Sequence, residues 1–393
     1  MITDEAEIFK SELAALRRDF HEHPELGFKE FRTSKVIYDY LRAIGADDLR
    51  NIAKTGIAGT VRGRVDNGRT VVLRANMDAL PVQEKTELPF ASENAGVMHA
   101  VGHDAQMAVA LVVAKILSRN HNSFNGNIRF VFQPNEEVAG ALEMINGGVL
   151  DDPPVNAALG MNFTYMLPEG DIGLSEGRVL GTTEEFVIRL TGRSVNTAWP
   201  HYGIDAAIGA AKVLEALQTL ESRKYDPMYP ISITVGKING GTARNIMVGE
   251  IVMEGTIRFL FPREEEALDE IKTDVESLVD GVCSFMGMQY DIEFIHSNSS
   301  LVNSRKLVEV LKSSARMVNI DYDKMRHFTS LMGEDFAEFA KRIPSVMTFF
   351  GIYNKEADCI YPNANAKYNL RDDVLVEATK YYAMGLVQCL NFL

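Results

Sequence analysis

Four short segments concentrate acids, histidines and amides where strands should end. Leu73-Arg-Ala-Asn-Met-Asp-Ala-Leu-Pro81 leaves Asp78 just past an apolar run. Met98-His-Ala-Val-Gly-His-Asp-Ala-Gln106 sets His103 and Asp104 before a helical pattern. Phe132-Gln-Pro-Asn-Glu-Glu-Val138 places Glu136 and Glu137 side by side after a buried-looking strand, so at least one should point into a cleft. Gly160-Met-Asn-Phe163 adds Asn162. Two carboxylates held close cannot both stay ionised cheaply. Either a cation lies between them, which suits metal-assisted hydrolysis, or one keeps a proton, which suits a general acid or base. Singly, each signal has a bland reading: a His beside an Asp is commonly a satisfied pair, and adjacent glutamates commonly open a solvated helix. Together they gain weight because all four loops adjoin strands of one sheet.

The elements that must position these loops follow from periodicity. Helical patterns at residues 5–45 flank the loop HEHPELGF. Strand-like runs at Gly56–Val65, Thr70–Ala75, Asn127–Phe132 and Asn156–Met161 alternate with helical patterns at Ala105–Ser118 and near Ala139–Asn146. That alternation predicts a mostly parallel sheet flanked by helices, with its chemistry at the carboxyl ends of the strands. Near residue 180 the order becomes β-α-β-β-α-β: Glu185–Thr191, Ile204–Leu220, Ile231–Ile238, Ile251–Phe259, Arg263–Met286 and Gln289–Phe294. This is the split unit of a small α+β open-faced sandwich. Alternation then resumes with helices Ser304–Met317 and Glu334–Lys341, strand Ser345–Phe350 and helix Asp373–Leu390. The expected organisation is an α/β domain of residues 1–181 and 294–393, with an inserted lid of residues 182–293.

Composition bounds the function classes. Of 393 residues, 46% are hydrophobic and 24% charged, the balance of a globular chain. A net charge of −14 argues against nucleic acid or an anionic membrane as partner and says little else; the expected partner is a small-molecule substrate. The acidic start MITDEAEIFKSEL does not read as a signal peptide, and no apolar run approaches the roughly 18 residues of a membrane span. The three scattered cysteines, Cys283, Cys359 and Cys389, read as reduced thiols, so the expected location is cytoplasmic.

Taken together, the motifs resemble the M20 peptidases, in particular the N-acyl amino acid amidohydrolases that include hippurate hydrolase and auxin-conjugate hydrolases. The likeness runs through Arg17–Ser34, Leu73–Glu84, Met98–Ala108, Val131–Leu150, Thr191–Ala206, Gly240–Ile246 and Gly333–Ser345, with matching order and spacing. It implies two divalent ions in the large domain, usually zinc or manganese. His103 and Glu137 would be ligands, Asp78 the carboxylate orienting His103, and Glu136 the general base. It also implies a homodimer formed through the lid, with helix Ile204–Leu220 as the candidate surface.

Several positions depart from that pattern. Val101 stands for the bridging cysteine, Asn162 for a ligand histidine and Gln106 for the second histidine of GHDAH. Asn76 replaces the first aspartate of RADMD, and Pro362-Asn-Ala-Asn-Ala366 lacks the C-terminal ligand histidine. Asn196 occupies the place of the histidine that stabilises the oxyanion. Amide oxygens are feeble zinc ligands. The donor set therefore favours no cofactor, with one Zn, Mn or Mg ion on His103 and Glu137, helped by Asp104 or Glu136, as the alternative. Three functions stay open: a metal-independent enzyme using Glu136, with Asp78 and with Asn196 donating to an oxyanion; a small-molecule-binding pseudoenzyme; and an amide hydrolase with an atypical mononuclear site. Asn162, Arg244, Asn245 and His201 are the expected substrate contacts.

Overall fold

The computed structural model describes residues 4–393. The chain divides into two compact units. The larger comprises the chain up to Gly177 together with Val302–Phe328 and Asp335–Leu393; the smaller comprises Arg178–Leu301 and Thr329–Glu334. Among the described residues no helix is long and apolar enough to cross a membrane.

The larger unit opens with helices α1 (Glu5–Ile8), α2 (Lys10–Glu22) and α3 (Phe31–Ala43). Glu25, in the loop before α3, accepts from the backbone N–H groups of Arg32 and Thr33 at 3.1 and 2.8 Å, satisfying donors that a helix start leaves free. Strands β1 (Asp47–Ile52), β2 (Gly56–Arg62) and β3 (Thr70–Asn76) follow, then α4 (His103–Arg119), β4 (Asn127–Gln133), α5 (Gly140–Asn146) and β5 (Ala157–Pro168). In the eight-stranded sheet, β4, β3, β5 and strand Ser345–Tyr353 are neighbours and run parallel. β2 and β4 are buried along almost their whole length, as strands covered on both faces must be. Helix α4 is buried nearly all round, which its continuous apolar sequence requires. Tyr382 of helix Asp372–Phe392 donates to the Gly160 carbonyl at 2.6 Å and fixes that helix against β5.

Pairing sets the edge where chemistry can occur. Asn76 at the end of β3 is level with Gln133 at the end of β4, and Arg74 is level with Gly160 of β5. The carboxyl ends of β3 and β4 thus deliver Asp78 and the Glu136–Glu137 pair to one rim, beside Asn162 in the middle of β5.

The smaller unit is a four-stranded antiparallel sheet in the order Gln289–Asn298, Thr182–Thr191, Glu250–Phe259, Ile231–Gly240. Helices Ala206–Arg223 and Glu264–Met286 pack on it around Phe186, Ile188, Leu190, Ile257 and Val275. Asp205 caps the first helix by accepting from the Ala207 N–H at 2.9 Å, and three glutamates open the second, where they complement the helix dipole.

Two elements differ from the sequence expectation. The segment Glu334–Lys341 is helical only at Ala337–Ala340, because Asp335 turns inward to a buried network instead of opening a solvated helix. Strand Asp47–Ile52 has no apolar alternation to betray it; it is a mostly exposed edge strand, where charge is tolerated and discourages further pairing.

Candidate active site

His103 is the first residue of α4 and is buried. Gly102 before it takes φ 86°, a turn for which glycine is suited, and a Cβ there would meet the Tyr368 hydroxyl at 2.7 Å. The imidazole is oriented by Asp78: Nδ1 donates to the Asp78 backbone carbonyl at 2.8 Å, and the carboxylate Oδ1 lies 3.4 Å away. The orienting group is thus the main-chain oxygen, with the carboxylate adding charge. The other ring nitrogen, Nε2, faces Asn76 Nδ2 at 3.2 Å and Glu136 Oε2 at 3.7 Å. Asn76 donates to a neutral ring; turned over, its unpaired amide oxygen suits a protonated one.

His103, Glu136 and Glu137 each offer a ligand atom within 4.8 Å of the others. Glu136 is half-buried and Glu137 exposed. The pair sits on a single 3-10 turn, Glu136–Val138, between two left-handed residues, Asn135 at φ 54° and Ala139 at φ 90°. Such conformations cost non-glycine residues about 1–3 kcal/mol each and persist only where the surroundings impose them.

Electrostatics favour positive charge here. Burial alone would lower the His103 pKa, yet the neighbouring Asp78 and Glu137 carboxylates raise it above the ordinary value. Burial would likewise raise Asp78, but its contact with His103 and the backbone N–H groups of Glu137 and Glu136 hold its carboxyl below the usual range. One imidazole among three carboxylates leaves an acid surplus, the setting in which a site takes up a cation.

Around the corner, the loops that would hold a second ion also converge. Ala364 donates from its backbone to Ala100 at 2.8 Å, and the Asn363 amide donates to the Phe163 carbonyl at 2.9 Å. This brings the neighbourhoods of Val101, Asn162 and Asn363 together. Valine has no donor atom, and the Asn363 amide nitrogen is spent on backbone; only the Asn162 Oδ1 is buried and without a partner. The residues present therefore fit a divalent ion at His103 and Glu137 with Glu136 beside it, while Val101 and Asn363 supply no zinc ligand on the other side.

The other expected site residues are not in this group. Asp104 does not join the candidate ligand group. It turns the opposite way, accepting from His21 at 2.9 Å and Arg17 at 3.3 Å. Asn196, His201, Arg244 and Asn245 are exposed in the smaller unit. There Asn196 accepts from the Ala198 N–H at 3.0 Å, the Asn245 carbonyl accepts from the Thr197 N–H at 3.1 Å, and His201 packs on Tyr202 with ring centroids 4.1 Å apart. The sequence reading passed over Glu30 and Asp335, whose buried carboxylates hold the acid-bearing loop. The one available signal was a charged residue beside an apolar run, a weak cue by itself.

Comparison with known proteins gives the family. Residues 72–387 match the model for peptidase family M20/M25/M40. An N-acetylcysteine deacetylase of Bacillus subtilis is 32% identical over 378 residues, covering 95% of this chain and 96% of that one. An N-acyl-L-amino acid amidohydrolase of Geobacillus stearothermophilus is 36% identical over 296 residues, covering 75% and 78%. A crystal structure of a dinuclear metal-binding peptidase of the M20 family from Bacillus subtilis matches with a TM-score of 0.84 at 29% identity, covering 98% of this chain and 100% of that one. The expectation of no cofactor is thereby corrected. A solved relative across the whole length is a metal-binding peptidase, and His103, Glu136 and Glu137 form a ligand group here. Reasoning from the lost cysteine and histidines undervalued the carboxylates that remain, which suit a cation even where thiolate and imidazole are gone.

Proposed function

The chain belongs to the M20 peptidase family, and on that premise we propose that it hydrolyses the amide bond of N-acyl amino acids, with one divalent ion held by His103 and Glu137 and with Glu136 as general base. What supports this reading most is the group of His103, Glu136 and Glu137, three ligand atoms within 4.8 Å around an imidazole whose Nδ1 is already tied to Asp78. That tie leaves Nε2 to face the acids, the tautomer a ligating histidine needs. A divalent ion in this place supplies Lewis acidity, polarising a carbonyl and acidifying water.

The chain's own groups do the rest. Glu136 takes the proton from the attacking water and passes it to the amide nitrogen as the carbon–nitrogen bond breaks, so the products are a carboxylate and a free amine. Asp78 keeps His103 in place throughout. Asn196 is proposed as a donor to the carbonyl oxygen as it gains charge. Asn162, His201, Asn245 and Arg244 are proposed substrate contacts, with Arg244 taking the carboxylate, a pairing its planar fork suits. The helix Ala206–Arg223 is the proposed surface for a homodimer.

The test is turnover of a panel of N-acetyl and N-benzoyl amino acids by zinc- or manganese-loaded protein. Glu136→Gln should lower kcat by about 10²–10⁴-fold while metal content is retained. Undiminished turnover by that variant would remove the general-base role. Binding of the panel without turnover by the unaltered protein would make the chain a small-molecule binder instead.

A further inference from the structure

The turn that carries Glu136 and Glu137 does not hold its shape by local preference. It closes on itself through the Gly140 N–H to the Asn135 carbonyl at 2.8 Å, with left-handed backbone at Asn135 and Ala139. It is also packed without slack. A Cβ on Gly140 would fall 1.8 Å from the Pro134 carbonyl oxygen, and one on Gly27 would fall 2.1 Å from Asn135 Oδ1. Something outside the turn must fix it.

Two buried carboxylates bond the turn and its flanks. Glu30, fully buried, accepts from the Asn135 N–H at 3.0 Å and from the Thr55 hydroxyl at 2.7 Å. Asp335, 2% exposed, accepts from the Ala141 N–H at 2.8 Å and from Gln133 Nε2 at 2.7 Å. Asp335 is itself paired with Arg74 at 2.5 Å, and Arg74 reaches Gln133 Oε1 at 3.0 Å. Gln133 before the turn and Ala141 after it are therefore gripped by one carboxylate, and Asn135 by the other. Burial raises the Glu30 pKa against the pull of its two donors, so the chain keeps this acid inside at a cost in desolvation.

We propose that Glu30 and Asp335 are positioning residues that set the acid pair for the cation beside His103. The proposal rests on the reading above in one respect only: that Glu137 helps to hold the ion. Because outer carboxylates tune the ligands beside them, loosening either should weaken metal affinity.

The variants are Glu30→Gln, Asp335→Asn and the milder Thr55→Val, which removes one donor to Glu30. Glu184→Gln is the control. Glu184 is a buried carboxylate of the smaller unit that meets His296 at 3.0 Å and Lys272 at 2.5 Å. Zinc titration of metal-stripped protein by calorimetry should show affinity falling by about 10–100-fold in the first two variants and less in Thr55→Val. Hydrogen exchange should speed up in the peptide covering residues 133–141. Glu184→Gln should shift the melting temperature alone. Folded variants with unaltered zinc affinity and unaltered exchange at 133–141 would overturn the proposal. If Asp335→Asn does not fold, Glu30→Gln and Thr55→Val decide. If the unaltered protein binds no zinc, or His103→Ala binds it equally well, the metal reading falls instead, and exchange alone judges the grip on the turn.

Discussion

Helix α4 begins with two residues that serve two different histidine–carboxylate clusters. Asp104 belongs to the first, in which His21 lies between Asp104 at 2.9 Å and Glu84 at 3.2 Å, with Arg17 also on Asp104. Those four side chains are at most 4% exposed. Both nitrogens of His21 are engaged, Phe90 closes the ring edge-on, and an imidazolium plus Arg17 faces the two acids. Arg17 and Arg18 also share Asp372, so charge is balanced there. His103 belongs to the second cluster. One of its nitrogens is tied down, the other looks toward Glu136, and three acids surround a single imidazole. The residue types are the same. What separates the two clusters is the surplus charge and a ring nitrogen met by the Asn76 amide instead of a carboxylate, neither of which a motif records.

The comparison is broken most forcefully by exchanging the roles of the two histidines. His103→Ala should abolish metal uptake and amide turnover while the melting temperature of metal-free protein changes little. His21→Ala should do the reverse. Leaving Asp104 and Glu84 buried without their partner costs about 3–5 kcal/mol of stability, and zinc affinity should hold once the protein is folded. Equal effects of both variants on metal uptake would erase the distinction.

A gentler probe is pH. Burial opposes the imidazolium of His21, but the hydrogen bonds to Asp104 and Glu84 outweigh it and push its pKa up to about 9. A histidine raised in the folded state stabilises the fold fully below its unfolded pKa of about 6.5 and loses that contribution as pH rises through the folded value. Denaturant midpoints should therefore fall between roughly pH 6.5 and 9, and His21→Ala should flatten that slope. A slope unchanged by the substitution would show that the first cluster is not held by this charge.

The smallest effect concerns the loops of Val101 and Asn162 beside the second cluster. Restoring donors with Val101→Cys and Asn162→His should add a second, weaker ion without displacing the first. Stoichiometry measured by zinc titration reads this directly. An unaltered stoichiometry would mean that the Asn363 side, whose amide is committed to the Phe163 carbonyl, sets the limit.

These contrasts also mark what was legible in the sequence. The parallel sheet and the rim were readable because Val71–Ala75 and Ile128–Phe132 are apolar runs broken by turn residues, with an amphipathic or buried helix after each. Asp78 and the Glu136–Glu137 pair come soon after those runs and His103 opens the helix between them, so their nearness could be anticipated. The outward turn of Asp104 was not, since adjacent helix residues point about 100° apart and only the packed neighbours decide which one faces the cleft. Glu30 and Asp335 were hidden for a related reason. Each contacts Asn135 or Ala141 across a separation of more than a hundred residues, and an acid bonded to backbone N–H groups leaves no mark on the partner's side-chain identity. The short strand Asp47–Ile52 was lost because an exposed edge needs no apolar alternation.

Metal content per chain, measured on protein purified without added metal and again after zinc loading and desalting, tests the central claim most directly. The account predicts close to one retained divalent ion per chain after loading, absent from His103→Ala and present in His21→Ala. No retained ion in the loaded protein, or an ion kept by His103→Ala, would contradict it.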